Sequence, residues 1–232
     1  MSKDGFDNET LIVEALNEQR FSDLTSNMQK LITSLYPTIQ EDDTIKAEKL
    51  GTVFKSDIEV VIKNNIFYIS VKKGSGNSVH QEPISEFISY IKTKLSADYL
   101  ICQEIENFIW GDGTPDGSGQ VSDRLSAREI KKLHPKRIAT MQEFFDINCT
   151  VLLKRFLETG STGHKPAEFV YYGDLENGHL VPIQKAIDFL CKNPLKNNPH
   201  VGGLSFQAWN RNINGGDKSE NKRGQIQLKW GN

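Results

Sequence analysis

Residues 54–74, FKSDIEVVIKNNIFYISVKKG, constrain the fold of this 232-residue chain more than any other segment. The runs VFKSDIEVVIK and IFYISVKK are rich in β-branched and aromatic residues, which favour strands. The pair Asn64-Asn65 separates them, and asparagine tolerates the backbone angles of a tight turn. We therefore predict a β-hairpin within residues 51–73 that brings Asp57 beside Lys72.

Helical and strand patterns alternate along the rest of the chain. Residues 8–35 carry apolar residues at helical spacing, with Asn8 as N-cap. Residues 97–105 fit a strand or a short helix, and we favour the strand. The remaining predicted elements are helices at 83–95, at 126–158 with a break at His134-Pro135, and at 182–193, a strand at 168–173, and a late hairpin formed by GLSFQAWNRN and QIQLKW.

Strands mixed with helices in this way predict an α/β fold with a mixed central sheet flanked by helices. We expect a single domain over residues 1–232, with a core at 1–110 and an elaboration at 111–232. The first helix is expected to pack against the sheet. Two segments, GSGNS at 74–78 and GDGTPDGSGQ at 111–120, have the composition of loops.

The composition of the chain limits the cellular compartment and the binding partners that can be expected for it. The three cysteines, Cys102, Cys149 and Cys191, form no CxxC pair, so we expect reduced, buried thiols rather than a zinc site or a disulfide framework. Without a signal peptide or an apolar run of about 20 residues, a cytoplasmic protein with no membrane association is expected. The formal net charge is −2, so any phosphate contact must come from a local basic patch.

The hairpin carries residues suited to phosphodiester hydrolysis. That reaction needs a divalent cation to polarise the phosphate and to lower the pKa of the attacking water. Mg²⁺ takes oxygen ligands, usually one or two carboxylates with waters and phosphate oxygens. Asp57 supplies a carboxylate, and a lysine such as Lys72 can position the water and stabilise developing negative charge.

Residues 51–95 resemble the core of the PD-(D/E)xK nuclease superfamily, which includes type II restriction endonucleases and archaeal Holliday-junction resolvases. Asp57 matches the family's aspartate and Lys72 its lysine. Ser56 stands where the family often has proline, and Ser70 where it usually has an acid. The resemblance implies a restriction-endonuclease-like sheet, an Mg²⁺ cofactor and a metal ligand from the Val71 backbone carbonyl.

Because Ser70 is a weak Mg²⁺ ligand, another acid must complete the site. Glu82 is the first choice, since it follows the hairpin in a polar cluster with His80 and Gln81. Glu59 is the second, because it lies two residues from Asp57 on the same strand face. Glu14 or Glu9 on the first helix is the third, as the N-terminal helix glutamate reaches the site in resolvases.

Several polar residues are candidates for DNA contact. Beside the hairpin these are His80, Gln81, Lys73 and Asn77. A basic run with partly helical spacing follows the glycine-rich loop, and a polar late loop carries the asparagine and arginine types that read base edges. From these two regions we select Arg124, Arg128, Lys132, Asn210, Arg211, Lys222 and Arg223. For the loop at residues 111–120 there are two alternatives, a specificity loop or a plain surface loop.

The resemblance implies a sequence-specific, Mg²⁺-dependent endonuclease of the type II restriction class, acting on double-stranded DNA. A homodimer is expected, since two-fold symmetric DNA suits two-fold symmetric protein. A structure-specific or repair nuclease is an alternative. The replacement of the acid by Ser70 leaves a third alternative, a DNA-binding or interaction module that has lost its active site.

Overall fold

The computed structural model describes residues 3–73 and 78–230, with side chains from residue 8 onward. The helices in this part of the chain are α1 Lys3–Leu16, α2 Ser26–Leu35, α3 Ile84–Leu95, α4 Tyr99–Trp110, α5 Ala127–Leu133, α6 Pro135–Ile147, α7 Cys149–Leu153 and α8 Ile183–Lys192. The strands are β1 Gln19–Arg20, β2 Thr44–Lys49, β3 Ile58–Ile62, β4 Asn65–Lys72, β5 Ser78–Pro83, β6 Phe169–Gly173, β7 Gly178–Pro182, β8 His200–Val201, β9 Leu204–Ala208 and β10 Gln225–Trp230. None of the described helices combines the length and hydrophobicity that crossing a bilayer requires.

The chain divides into two compact units. The first unit contains residues 1–77 and 154–189, and the second contains residues 78–153 and 190–232. Each unit has its own sheet. That the two units act as one domain stays a prediction, and their boundaries differ from the division expected at residue 110.

The first unit is built on a six-stranded sheet in the order β1-β2-β3-β4-β6-β7. Strands β4 and β6 run parallel and the other neighbours antiparallel, which confirms the predicted mixed sheet. Because side chains alternate between the faces of a strand, Ile58, Val60 and Ile62 of β3 all point into the core. Ile12 of α1 and Met28 of α2 belong to the same buried cluster, so the first helix packs on the sheet as predicted.

The second unit is built on a four-stranded antiparallel sheet in the order β5-β10-β9-β8. Phe206 of β9 is at the centre of its core, within 4.8–6.3 Å, centroid to centroid, of three aromatic rings from α3, α4 and α6. These rings are Phe87, Phe108 and Phe145. The late hairpin predicted from the sequence is confirmed as the pair β9 and β10.

The strand favoured at residues 97–105 is wrong, because this segment forms most of α4. Asp98 caps the helix by accepting a hydrogen bond of 2.8 Å from the Ile101 backbone N–H. The buried residues Cys102, Ile105 and Phe108 recur at intervals of three, which places them on one helical face. The apolar run YLI hid this period at the start of the segment.

Three element boundaries also differ from the sequence expectations. The helix expected over 8–35 is two helices, α1 and α2, separated by a segment in which Glu18 has a φ of 59°. The first strand of the hairpin begins at Ile58 rather than near residue 51, and the turn is at Lys63 and Asn64. The polar cluster at residues 78–83 is β5, since its backbone pairs with β10.

The cysteine expectation is wrong for two of the three residues. Cys149 and Cys191 form a disulfide within the second unit, with their Cα atoms 6.1 Å apart. Cys102 is free and buried, as predicted. The pairing joins residues 42 positions apart in sequence, so no local spacing could indicate it.

The disulfide predicts a thiol count and a loss of stability. Titration of the denatured chain without reductant should find one free thiol per chain, from Cys102. Cys149→Ser should lower the free energy of unfolding by about 2–4 kcal/mol in urea denaturation, because the unfolded chain loses a cross-link. Cys102→Ser is the control and should keep the disulfide. Three titratable thiols in the wild-type chain would contradict the pairing.

Candidate active site

The hairpin of β3 and β4 brings Asp57 and Lys72 together, as the sequence predicts. Asp57 immediately precedes β3, and its backbone N–H donates to the carbonyl oxygen of Ile69 at 2.9 Å. The register of the two strands ends at the pair Ile58 and Ile69, and this bond holds Asp57 just beyond that pair. Ser70 and Lys72 lie two residues apart on β4, so their side chains extend from the same face.

One carboxylate oxygen of Asp57 is the centre of the cluster. Its Oδ2 accepts hydrogen bonds from Ser70 Oγ at 2.9 Å, from the Val71 backbone N–H at 2.7 Å and from Lys72 Nζ at 2.9 Å. Every hydrogen bond to this carboxylate from the described residues ends on Oδ2. The second oxygen, Oδ1, therefore keeps its lone pairs for another partner.

The environment keeps Asp57 ionised. Burial alone would raise the pKa of Asp57, but the charge of Lys72 and the three hydrogen bonds outweigh burial and lower the pKa below its ordinary value. The side chains of Asp57 and Lys72 are only 17% and 15% exposed, so solvent screens their attraction weakly. The Asp57 carboxylate is therefore ionised at neutral pH, and it lies against the Lys72 side chain.

Glu9 of α1 lies near this cluster in the same unit. Its carboxylate forms an ion pair of 3.0 Å with Lys49 of β2, and its side chain is 8% exposed. Burial raises the pKa of Glu9, and the negative charge of Asp57 adds to this increase, while Lys49 and Lys72 oppose it. Two carboxylates that repel each other in this way are suited to share a cation.

The carboxylates of Asp57 and Glu9 are oxygen donors of the kind that a hard divalent cation takes. Asp57 and Glu9 offer two carboxylates, which is the usual number for Mg²⁺ in proteins. Among the described residues, no group of three or more acidic, histidine or cysteine side chains could hold a metal ion. A site with only two protein carboxylates leaves the remaining coordination positions to waters and phosphate oxygens, as substrate-binding Mg²⁺ sites require.

Ser70 supports Asp57 directly. Its side chain is buried, and its hydroxyl donates to Asp57 Oδ2, the oxygen that also faces Lys72. The residue where the resembling family usually has an acid is thus a donor to the aspartate. No charge at position 70 competes with Asp57 for Lys72.

The two acids preferred from the sequence lie in other surroundings. Glu59 forms an ion pair of 2.7 Å with Lys165, which also lies 3.7 Å from Glu48. Glu82 belongs to the second unit, where it is buried in β5 with its Oε1 3.1 Å from His80 Nε2. Metal binding by Glu82 or Glu59 stays a prediction, while Glu9 is the acid whose charge is coupled to that of Asp57.

The polar residues of β5 point in alternate directions. His80 pairs with Leu228 and Glu82 with Ile226, so both face the core side of the sheet. Gln81 lies on the opposite face.

There, Gln81 belongs to a row of three glutamines that crosses the sheet. Gln227 of β10 pairs with Gln81 on one side and with Gln207 of β9 on the other. Gln207 Nε2 donates to Gln227 Oε1 at 2.9 Å.

Three arginines predicted to contact DNA instead form hydrogen bonds within the second unit. The guanidinium of Arg124 donates to the Asn212 carbonyl at 2.9 Å, and that of Arg211 donates to the Phe108 carbonyl at the end of α4. Burial lowers the pKa of Arg211 to about 10. The structure does not support phosphate or base contact by either residue, because their side chains are buried.

Arg223 also has a structural role. Its side chain is 6% exposed and forms an ion pair of 2.9 Å with the buried carboxylate of Asp112. Asp112 also accepts hydrogen bonds from Thr114 and from the Gly119 backbone N–H, so the glycine-rich 111–120 loop is fixed internally. The predicted DNA contact by Arg223 is therefore not supported.

The other DNA-contact candidates stay predictions. Arg128 and Lys132 are exposed on α5. Lys222 lies over the Trp209 ring at 5.2 Å, and Lys73 lies 3.4 Å from Asp174. Asn210 accepts a hydrogen bond from the Asn212 backbone N–H. Asn77 lies outside the described residues.

Sequence reasoning missed two residues on the face of the sheet that carries Lys72. Tyr172 of β6 pairs with Lys72, and His179 of β7 pairs with Tyr172. The two rings stack with their centroids 5.4 Å apart. Burial raises the pKa of Tyr172, so its hydroxyl keeps its proton. Only the parallel pairing of β4 with β6 brings these residues to the site, and no local sequence signal indicates that pairing.

The lowered pKa of Asp57 predicts a pH-dependent contribution to stability. Ionised Asp57 stabilises the folded chain above about pH 4, the ordinary pKa of an unfolded aspartate, and this contribution is lost as the pH falls further. Asp57→Asn should cost about 2 kcal/mol at pH 7. Its free energy of unfolding should then fall less steeply than that of the wild type between about pH 5 and pH 2.

Urea denaturation across this pH range measures both effects. Asp42→Asn, which replaces an exposed carboxylate of the same unit, is the matched control and should follow the wild-type pH profile. Equal slopes for Asp57→Asn and the wild type would show that the cluster does not lower the pKa of Asp57.

Comparison with known proteins identifies the fold. No protein-family model matches the chain, and no curated protein matches its sequence. The solved structure of the restriction endonuclease MspI in complex with its cognate DNA is similar, with a TM-score of 0.54 and 12% sequence identity. The match covers 87% of this chain and 76% of that chain. This chain therefore has a restriction-endonuclease-like fold, as predicted.

Proposed function

We propose that this protein is a metal-dependent endonuclease that hydrolyses phosphodiester bonds of double-stranded DNA. The observation that carries the proposal is the charged pair of Asp57 and Lys72, held by three hydrogen bonds with one carboxylate oxygen left over. The restriction-endonuclease-like fold supports it, and the similar MspI structure holds DNA. We further propose Mg²⁺ as the cofactor and the type II restriction class as the functional group.

Asp57 Oδ1, the Val71 backbone carbonyl and a second acid would hold Mg²⁺. When bound, this ion supplies Lewis-acid polarisation of the phosphate and lowers the pKa of a water ligand. We favour Glu9 over Glu82 as the second acid, because α1 packs on the sheet that carries Asp57 and the Asp57 charge raises the pKa of Glu9. The Lys49 ammonium, 3.0 Å from the Glu9 carboxylate, would keep that acid oriented.

Lys72 contributes a positive charge at a fixed position. Its Nζ donates to Asp57 Oδ2, which leaves two further N–H groups of the ammonium for other acceptors. These can orient an attacking water and stabilise the negative charge that develops on the phosphate oxygens. Ser70 and the Val71 N–H hold the carboxylate in place during that step.

The second unit would recognise the base sequence of the DNA. Glutamine side chains can pair with adenine through two hydrogen bonds in the major groove. The half-buried Gln81 and Gln207 would provide such groups, with exposed Arg128 and Lys132 contacting phosphates. A homodimer would place two such surfaces on a two-fold symmetric DNA site.

Ser70 favours one alternative, a DNA-binding module that has lost catalysis. The replacement of the family's acid reduces the number of carboxylates at the site. Against this alternative, Asp57 and Lys72 remain paired and largely shielded from solvent. A structure-specific repair nuclease is the second alternative, and it would cut branched DNA rather than unique sites.

Cleavage of phage-length DNA with Mg²⁺ tests the proposal. Lys72→Ala should lower the cleavage rate by about 100- to 1,000-fold, because a positioned stabiliser of the transition state is lost. Lys46→Ala, on the exposed face of β2, is the matched control and should cut normally. EDTA should abolish cleavage. Discrete fragments would support a restriction enzyme, and wild-type cleavage by Lys72→Ala would contradict the mechanism.

The assignment of the second acid predicts a change in metal dependence. Glu9→Gln should raise the Mg²⁺ concentration for half-maximal cleavage by about tenfold or more, because a charged ligand becomes neutral. Glu41→Gln, which replaces an exposed carboxylate of the same unit, is the control. A shift in Glu82→Gln without one in Glu9→Gln would instead identify Glu82 as the ligand.

A further inference from the structure

A row of three polar side chains crosses the sheet of the first unit at the end of β4. Lys72 of β4 pairs with Tyr172 of β6, and Tyr172 pairs with His179 of β7. Residues paired in this way extend from the same face of a sheet, and neighbouring strands are about 4.8 Å apart. His179 therefore lies on the same face as Lys72, two strand spacings or about 10 Å away.

The imidazole of His179 is exposed and lies against an anchored ring. Tyr172 is half-buried, and its ring stacks on that of His179 with centroids 5.4 Å apart and planes inclined by 22°. Such a stack restricts the tilt of the imidazole. Among the described residues, neither ring nitrogen of His179 has a hydrogen-bond or ion-pair partner. An imidazole N–H at a fixed position is thus left for a ligand.

The hairpin of β6 and β7 is held in place by both helices of the first unit's core. Asn8 of α1 donates to the Gly173 carbonyl at 2.9 Å. Asn27 of α2 donates to the Tyr171 hydroxyl oxygen at 2.8 Å, and this hydroxyl donates to the Asp174 carbonyl at 2.6 Å. Because these contacts fix the hairpin before a ligand arrives, binding on its face requires little further ordering of the chain.

The acidic side chains of the hairpin turn do not exclude an anion from this face. Asp174 Oδ2 lies 3.4 Å from Lys73 Nζ, which offsets its charge. Glu176, the other acid of the turn, is exposed, so water and salt screen its charge. An N–H group that donates to an anionic oxygen forms a stronger hydrogen bond than one that donates to a neutral oxygen. The His179 ring therefore suits an anionic acceptor.

Lys72 and His179 direct their polar groups to different places. Lys72 Nζ donates to Asp57 Oδ2, and Asp57 precedes β3, which lies on the side of β4 opposite to β6. The ammonium and the imidazole therefore do not converge on one ligand atom. Two anionic groups of one extended ligand fit this arrangement, and the phosphates of a DNA strand are such groups.

We propose that His179 binds a backbone phosphate of DNA beside the phosphate that lies at Asp57 and Lys72, and that Tyr172 positions its imidazole. The identity of the ligand as DNA rests on the proposed function. The contact is the same before and during phosphodiester cleavage, so it strengthens the binding of DNA and leaves the chemical step unchanged.

Histidine ring signals in NMR spectra test the contact without any need for cleavage. A short DNA duplex is titrated into the full chain with EDTA present, and His179→Ala assigns the signal of residue 179. The His179 signal should shift as the duplex binds, while that of His200, buried in the second unit, should not. A His179 signal that stays unchanged throughout the titration would overturn the proposal, whether or not the chain cuts DNA with Mg²⁺.

Affinity and rate separate a phosphate contact from a structural role. His179→Ala should raise the Kd for DNA, measured with EDTA, and the KM for cleavage by about tenfold, with kcat within about threefold of wild type. Asn64→Ala is the matched control, because this exposed polar residue lies at the opposite end of β4. Wild-type Kd in His179→Ala, or a fall in kcat at unchanged KM, would overturn the proposal.

Two substitutions of Tyr172 test how the imidazole is held. Tyr172→Phe keeps the stacked ring and should bind DNA within about twofold of wild type, whereas Tyr172→Leu should weaken binding as His179→Ala does. Equal affinity of the Phe and Leu variants would contradict the positioning role. A shifted His179 signal in a chain that does not cut DNA would keep this phosphate contact and overturn only the proposed nuclease activity.

Discussion

The hydrogen bonds that converge on Asp57 Oδ2 are the constraint on which the candidate site depends. A carboxylate that is largely shielded from water is tolerated only when it is paired and hydrogen-bonded, and here a serine hydroxyl, a backbone N–H and an ammonium group meet that requirement. The end of β4 supplies all three donors, and it can do so only in the observed register, because a shift by one residue would turn Ser70 and Lys72 to the opposite face. The register of β3 and β4 and the charge state of Asp57 are therefore mutually dependent.

The same principle explains where the arginines of the second unit lie. Arg124, Arg211 and Arg223 look like a phosphate-binding set in the sequence, yet each guanidinium donates to a carbonyl or a carboxylate inside the unit. An irregular loop has backbone carbonyls that no regular element satisfies, and an arginine with five N–H groups can satisfy several of them. In the proposed function, their burial leaves the attraction of DNA phosphates to the exposed basic residues of α5 and of the late loop.

The site could be predicted from the sequence only where local geometry sufficed. A tight turn between two strands brings Asp57 beside Lys72 whatever the rest of the chain does, so their proximity could be predicted. The second acid could not be predicted in this way, because Glu9 comes near Asp57 only through the packing of α1 on the sheet. Likewise, the alternative of a strand at 97–105 failed because three adjacent apolar residues obscured a helical period that only burial against the sheet reveals.

The sequence by itself determined the mixed α/β character of the fold, the hairpin, most of the helices and the pairing of Asp57 with Lys72. These follow from periodicity and turn chemistry, which act over a few residues. The tertiary structure alone decided the disulfide of Cys149 and Cys191, the stacking of Tyr172 beside Lys72, and the burial of the arginines. Each of these depends on contacts between segments far apart in the chain, and no local pattern encodes such contacts.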